Sequence, residues 1–137
     1  MTMHWAAKYL GIPYVLGGED ISGADCWGFV RAVMRAEKGI AMPALAIGES
    51  GNARAIRQCF SGWRASDGRA EFDIVTMKNP LGHHVGLVAK ADKWDILILH
   101  CDKPQSCLAR LSELGYLGYS DFRAWRYDKK ACSSASL

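Results

Sequence analysis

Apolar positions follow a helical period in the first sixty residues of the chain and a period of two afterwards. Helical spacing covers residues 5–10, 26–38 and 52–60, and Gly11 and Gly39 follow the first two segments as helix-ending residues. Short alternating runs bounded by turn residues then predict antiparallel strands at residues 74–77, 85–88, 96–99, 106–111 and 122–127. Helices followed by strands predict an α+β fold, with N-terminal helices packed on one face of a central antiparallel β-sheet.

This pattern predicts one domain over residues 1–128. A domain of this size buries roughly two thirds of its unfolded surface, so a single core suffices. Residues 129–137 are small and polar, and we expect them to form a disordered tail.

Charge and composition narrow the function classes. Lys and Arg number 17 against 14 Asp and Glu, a net charge of +3 without a basic block, which argues against a nucleic-acid partner. No apolar run approaches the ~18 residues of a membrane span. The first ten residues lack the basic and apolar regions of a signal peptide, so we expect synthesis in the cytoplasm without one. Five cysteines at irregular spacing argue against a disulfide framework.

Cys26 stands where a glycine-rich loop, residues 14–23, gives way to the second helical segment. Asp25 precedes it and is predicted to be the helix N-cap. A thiol at a helix N-terminus faces unpaired backbone N–H groups and the positive end of the helix dipole, which favour the thiolate. The sequence therefore predicts that Cys26 is a nucleophile held as a thiolate.

His84 and His100 lie on two neighbouring predicted strands. If residues 90–94 form the reversal, a register that pairs Leu87 with Leu97 also pairs the two histidines, with Cβ atoms about 5 Å apart. A thiol nucleophile needs a base, and that base works better when a third group orients its ring. We therefore predict that His84 is the general base and that His100 orients it.

Two further residues bear on this site. Gly86 lies two residues from His84 and is expected to leave space for the helix that begins at Cys26. An oxyanion would face the backbone N–H of Cys26, and the hydroxyl of Tyr14 is a candidate for a second donor.

A zinc site is the alternative interpretation of the same residue types. The chain has no C-x-x-C or H-x-x-x-H pair, which argues against a metal, and we expect no cofactor. The potential zinc ligands are Cys26, His84, His100, Cys101 and Cys107. The thiols expected to be inert are Cys59, Cys101, Cys107 and Cys132.

Five segments, in this order and spacing, resemble the NlpC-type cell-wall cysteine peptidases. They are YLGIPYVLGG at residues 9–18, DCWGFV at 25–30, FDIV at 72–75, HVGLV at 84–88 and ILH at 98–100. The DCWGF variant in a short chain resembles the phage tail-assembly and lysis branch of that family. Two positions depart from the common pattern: many members have Ser in place of Trp27, and many have Gly in place of Phe72.

The resemblance implies a papain-like NlpC-type fold and hydrolysis of an amide bond in the peptidoglycan stem peptide, commonly between D-glutamate and the following diamino acid. It also implies site roles by position: Cys26 as nucleophile, His84 as base, His100 as third polar residue and Tyr14 as a hydroxyl close to the thiol. Asp25 and Trp27 flank the nucleophile and are expected to contribute to substrate binding, with Trp27 in the cleft wall.

Three functions remain open from the sequence. The first is a cysteine endopeptidase that acts on peptidoglycan stem peptides through a thioester. The second is a phage tail-tip component with the same fold and little activity, whose partners would be tail proteins and whose location would be the virion. The third is an amidase on the same fold. The presence of Cys26, His84 and His100 together favours an enzyme, acting after release to the cell wall or from the virion.

Overall fold

The computed structural model describes residues 4–45, 53–80 and 82–128. The predicted tail at 129–137, together with Cys132, lies outside the described residues. In chain order the elements are a 3-10 helix Trp5–Tyr9, β1 Glu19–Asp20, β2 Gly23–Ala24, α1 Cys26–Lys38, α2 Ala53–Gln58, β3 Arg64–Ser66, β4 Ile74–Asn79, β5 Gly82–Ala91, β6 Ile96–Cys101, β7 Ser106–Arg110, α3 Leu111–Tyr116 and β8 Ser120–Arg126.

Six of the strands form one sheet in the order β3-β8-β4-β5-β6-β7, and β1 pairs with β2 in a separate hairpin. Every paired strand runs antiparallel to its neighbour. The α+β fold with a central antiparallel sheet is therefore confirmed. All five predicted strands are present, with bounds shifted by up to three residues at their ends.

The N-terminal helices pack on one face of this sheet, as expected, and α3, which the sequence pattern did not predict, covers the other face. Successive strand residues point to opposite faces. Leu87 packs in one apolar cluster with Phe29 of α1, and Val88 packs in a second cluster with Leu114 of α3. None of the helices in the described ranges has the length and apolarity of a membrane span.

The ends of α1 follow from two residues in the sequence. An Asp25 side-chain oxygen accepts the backbone N–H of Gly28 at 2.7 Å, which satisfies one of the free donors in the first turn. Gly39 ends the helix in the left-handed region at φ 65°, and its N–H bonds to the carbonyl of Arg35. The predicted N-cap and the predicted stop are both confirmed.

Gly28 allows the first turn of α1 to lie directly against the glycine-rich loop. A Cβ added at Gly28 would lie 2.0 Å from the carbonyl oxygen of Gly18, far inside van der Waals contact. This close approach places the N-terminus of α1 on the β1–β2 hairpin and brings the loop beside Cys26.

The turn before β4 holds a residue in an unusual backbone conformation. Phe72 has φ 70°, a region that favours glycine, and its ring stacks on Trp5 with centroids 4.2 Å apart. At the position where the resemblance implies Gly, the turn is made here with Phe, and the stacked ring supplies a contact that Gly lacks.

Asp73, the next residue, is almost fully buried and links three segments of the chain. Its carboxylate accepts two hydrogen bonds from Arg126 of β8, at 2.9 and 2.8 Å. It also accepts the hydroxyl of Ser66 in β3 at 3.0 Å. A buried carboxylate with several partners is costly to lose, because the partners are left unsatisfied.

We expect Asp73→Ala to lower the free energy of unfolding by about 3 kcal/mol, the lower end of the range for breaking a buried ion pair, because Arg126 is partly exposed. Asp67→Ala is the matched control, since Asp67 pairs with the same guanidinium at 3.2 Å but is exposed. The control should lose less than about 1 kcal/mol. Urea denaturation followed by circular dichroism measures both, and equal losses would contradict the structural role of Asp73.

Candidate active site

Cys26 is the first residue of α1 and is 8% exposed. The backbone N–H groups of Trp27 and Val85 act on its thiol, which places the thiol against β5 beside the residue that follows His84. The helix and the sheet thus bring together two of the residues that the sequence singled out.

The expectation that Cys26 is held as a thiolate is wrong for the free protein. Burial, followed by the charge of Asp25, raises the pKa of the Cys26 thiol to about 12, although the N–H groups of Val85 and Trp27 act in the opposite direction. Burial shifts a pKa by up to 3–5 units, whereas the charge of a helix end acts more weakly. Cys26 is a neutral thiol at neutral pH, and its activation requires a base.

His84 and His100 form a buried hydrogen-bonded pair. Nε2 of His84 lies 3.0 Å from Nδ1 of His100, and the two rings meet at 89° with centroids 5.1 Å apart. Burial and the neighbouring His100 lower the pKa of His84 to about 4, and burial lowers the pKa of His100. Both rings are therefore neutral near pH 7, and His84 is able to accept a proton.

The predicted register between the two histidine strands is wrong, although their contact is confirmed. Leu87 pairs with Leu99, two residues from the expected Leu97, because the turn lies later in the chain and a bulge falls between Val88 and Lys90. This register places His84 diagonal to His100. A shift by two residues keeps each side chain on its face of the sheet, and diagonal neighbours lie within reach of long side chains.

Gly86 was expected to make room for the helix that begins at Cys26. It makes room for the neighbouring strand β6. A Cβ at Gly86 would lie 2.6 Å from Cγ2 of Ile98 and 3.1 Å from the Cβ of His100. The missing side chain lets His100 lean across β5 toward His84, so this glycine determines the geometry of the pair.

One nitrogen of His84 is engaged within the pair, because Nε2 faces Nδ1 of His100, and Nδ1 of His84 lies outside that contact. If Nδ1 is the nitrogen that accepts a proton, His84 carries its own proton on Nε2 and donates it to Nδ1 of His100, and the His100 proton is then on Nε2. That nitrogen lies 3.5 Å from Sγ of Cys107, an exposed thiol that the sequence analysis set aside.

Two residues that the sequence analysis missed lie beside the histidines. Asp102 accepts the hydroxyl of Tyr119 at 2.7 Å, and the Tyr119 ring lies 5.3 Å from the ring of His84. Burial alone would raise the pKa of Asp102, but the Tyr119 hydroxyl, the Lys103 N–H and the histidines hold it below its ordinary value. Asp102 is therefore ionised, and its charge favours a protonated form of the histidines. The position of Asp102, two residues after His100, could have indicated from the sequence that it lies near the histidines. The contact of Tyr119 with His84 could not, because it depends on the pairing of β8.

Tyr14 lies close to the nucleophile, as its position in the sequence implied. Burial raises its pKa, and the neighbouring Cys26 and Asp25 raise it further. The hydroxyl therefore keeps its proton at neutral pH and is able to donate it.

The residues on either side of Cys26 have structural contacts of their own. One carboxylate oxygen of Asp25 accepts from Gly28 and the other from the N–H of Gly17 at 3.1 Å. Trp27 is 3% exposed, and its indole N–H donates to the carbonyl of Pro43 at 2.8 Å. Trp27 is a core residue, so the expectation that it forms part of the cleft wall is wrong.

Comparison with known proteins agrees with this geometry. The family model of the NlpC/P60 family matches residues 11–94, a range that contains Cys26 and His84. A protein of Haemophilus influenzae described as a probable endopeptidase is 28% identical over 90 residues, which cover 64% of this chain and 51% of that protein. Protein P54 of Enterococcus faecium is 64% identical over 28 residues, or 20% of this chain and 5% of P54. The chain thus spans about half, or much less, of the relatives it matches.

The fold has a counterpart among solved structures. The crystal structure of the NlpC/p60 domain of the peptidoglycan hydrolase SagA has a TM-score of 0.61 with this chain at 25% identity. The alignment covers 89% of this chain and 92% of the SagA chain. With the family model matching more than half of the sequence and the sheet, nucleophile helix and histidine pair in place, the chain belongs to the NlpC/P60 family.

Proposed function

We propose that this chain is a cysteine endopeptidase that hydrolyses an amide bond in the stem peptide of peptidoglycan through a thioester. The observation that carries the proposal is the buried pair in which Nε2 of His84 lies 3.0 Å from Nδ1 of His100, next to the strand position that contacts the Cys26 thiol. The name of SagA, a peptidoglycan hydrolase, supports the substrate class, and the name of the H. influenzae relative, a probable endopeptidase, supports the reaction type.

The first half of the reaction makes the thioester. Nδ1 of His84 takes the proton of Cys26 as sulfur attacks the carbonyl carbon, and the carbonyl π-electron pair moves to oxygen. The backbone N–H of Cys26 and the hydroxyl of Tyr14 are the proposed donors to this oxyanion. When the oxyanion collapses, the C–N bond breaks, and the proton on Nδ1 passes to the leaving amine.

The second half regenerates the thiol. A water molecule enters in place of the amine, and His84 removes its proton as the oxygen attacks the thioester carbon. Collapse of this second intermediate breaks the C–S bond, and the proton returns from His84 to sulfur. The products are a carboxylic acid and an amine, which together account for the water consumed.

Asp102 has a proposed part in both halves. Each proton transfer turns His84 into an imidazolium in a buried site, where burial opposes the charge. The ionised carboxylate of Asp102 opposes that penalty, since its charge raises the pKa of both histidines. We place it as a positioning and charge-balancing residue that does not contact the substrate.

The bond proposed for cleavage lies between D-glutamate and the diamino acid, as the resemblance implies. The assignment to a phage tail-assembly or lysis branch, with tail proteins as partners, rests on the DCWGF sequence in a short chain and stays a prediction. The names of the relatives above support the peptidase activity and do not support that branch.

Purified muropeptides should be cut on the carbonyl side of D-glutamate by the native protein and left intact by Cys26→Ala, because Cys26 is the proposed nucleophile that forms the thioester. Cys59→Ala is the matched control: its thiol is buried to the same extent, 8% exposed, and lies on another helix end. Mass spectrometry after dansylation detects the new free amine on the diamino acid. Release of whole stem peptides from the sugar would identify an amidase, and full activity of Cys26→Ala would exclude the thioester.

Substitution of His84 should lower kcat more than substitution of His100. His84→Gln removes the base and should lower kcat by about 10²- to 10⁴-fold. His100→Asn should retain measurable turnover, because an amide oxygen can still accept the Nε2–H of His84. His4→Gln, at a surface histidine paired with Glu71, should leave kcat unchanged. Steady-state assays on one muropeptide compare the three variants, and a larger loss for His100→Asn would reverse the assigned roles.

The acid limb of kcat/KM should lie near pH 4, because burial lowers the pKa of His84 to about 4 and the free protein loses its base only there. A pH series of kcat/KM on a soluble muropeptide measures it. An acid limb near the ordinary histidine pKa of about 6.5 would contradict the buried base.

Stability must be followed in the same pH series. The unfolded chain binds a proton at His84 below about pH 6.5, and the folded chain does so only near pH 4, so stability decreases as the pH falls through that window. Circular dichroism at each pH separates unfolding from titration of the base.

A further inference from the structure

A small pocket with a positive lining borders His83, the residue that precedes His84 in the chain. It has a volume of about 60 Å³, enough for a carboxylate group. Its polar lining comes from α2, β4, β5 and β8 and consists of Arg57, Thr76, Lys78, His83, Asp121 and Arg123. We call it the basic pocket.

The charges in the basic pocket are incompletely balanced. Lys78 and Arg123 share a single carboxylate, that of Asp121, with both N···O distances at 3.5 Å. Both pairs are exposed and long, so they contribute little and leave donors open to another anion. Arg57 has no ion-pair partner among the described residues. Three cations facing one carboxylate leave an excess of two positive charges.

The positive potential reaches the histidine at the pocket wall. Lys78 lies directly opposite His83 in the register between β4 and β5. Burial lowers the pKa of His83, and the charges of Lys78 and Arg57 lower it further against the opposing effect of Asp121. His83, expected from the sequence to be a solvent-facing neighbour of His84, is half-buried and borders the pocket.

The basic pocket borders β5, the strand that contacts the Cys26 thiol. His83 and Val85 point to the same face of β5, and two residues along a strand span about 6.6 Å. The backbone N–H of Val85 acts on the Cys26 thiol, so His83 at the pocket wall lies two strand residues from the position that contacts the thiol. A peptide held at Cys26 is long enough to reach the basic pocket.

We propose that the basic pocket is a specificity subsite that binds a free carboxylate of the substrate peptide, with Arg57 and Lys78 as its main donors. The inference rests on the proposed function, because it takes the ligand to be the peptide that Cys26 cleaves. Stem peptides carry free carboxylates along a thin backbone, and a guanidinium binds a carboxylate through two parallel hydrogen bonds. Amidation of that carboxylate removes its charge and one acceptor oxygen.

Binding to the Cys26→Ala protein tests the subsite without turnover. Calorimetry should give a Kd for a synthetic stem peptide with free carboxylates about tenfold below that of the peptide amidated at the bound position. A series amidated at one carboxylate at a time identifies which group enters the pocket.

Variants of the lining residues link the effect to the pocket. Arg57→Gln and Lys78→Gln, each added to Cys26→Ala, should weaken binding of the free-acid peptide several-fold and leave the amidated peptide unchanged. Lys90→Gln is the matched control, because Lys90 is an exposed cation on β5, the strand that carries His83, at the end away from the pocket, and it should change neither Kd.

The inference and the proposed function fail in different ways. Equal Kd values for free and amidated peptides, equal weakening of both by Arg57→Gln, or no binding of either peptide would overturn the basic pocket as a subsite. Cleavage is scored separately with the native protein by mass spectrometry, so loss of selectivity with cleavage intact removes the subsite alone. Selective binding without cleavage removes the peptidase alone.

Discussion

The arrangement of the site depends on one carboxylate, that of Asp25. One of its oxygens holds the N–H of Gly28 in the first turn of α1, and the other holds the N–H of Gly17 in the loop. These two bonds fix where the helix begins, and therefore where the thiol of Cys26 lies relative to β5. The absence of side chains at Gly18 and Gly28 lets the loop and the helix touch along their backbones. The position of Cys26 is thus determined by the helix cap of Asp25 and by Gly18 and Gly28.

The chemistry of the site follows from burial more than from the helix dipole. Burial keeps both the thiol of Cys26 and the imidazole of His84 in their neutral forms. The resting protein therefore holds an acid and a base that have not yet exchanged a proton. In the proposed reaction, the ionised Asp102 stabilises the charged histidine that forms as the sulfur of Cys26 attacks a carbonyl carbon. A neutral resting thiol is also less open to oxidation than a thiolate.

The sequence was sufficient for the parts of the site that depend on local pattern. The helix start at Cys26 follows from an N-cap residue and a 3.6-residue period, and the meeting of His84 with His100 follows from alternation along strands. Alternation carries information on faces but not on register, which is why the contact was predicted correctly from a register that was wrong by two residues. Tyr119 and the buried state of Trp27 depend on how distant segments pack, and no local period reports that. The six-residue helix α3 has a single buried residue, Leu114, which is too little to produce a detectable pattern.

The stack of Phe72 on Trp5 makes two distant positions dependent on each other. Phe72 occupies a backbone region that disfavours side chains, and its ring contact with Trp5 offsets that cost. Replacing Phe72 by Gly would relax the turn but uncover an indole face, and replacing Trp5 would leave the strained turn without its compensating contact. An exchange of residue 72 for Gly therefore changes the surroundings of Trp5 as well, so the N-terminal residues and the turn before β4 are coupled although 67 positions separate them in the chain.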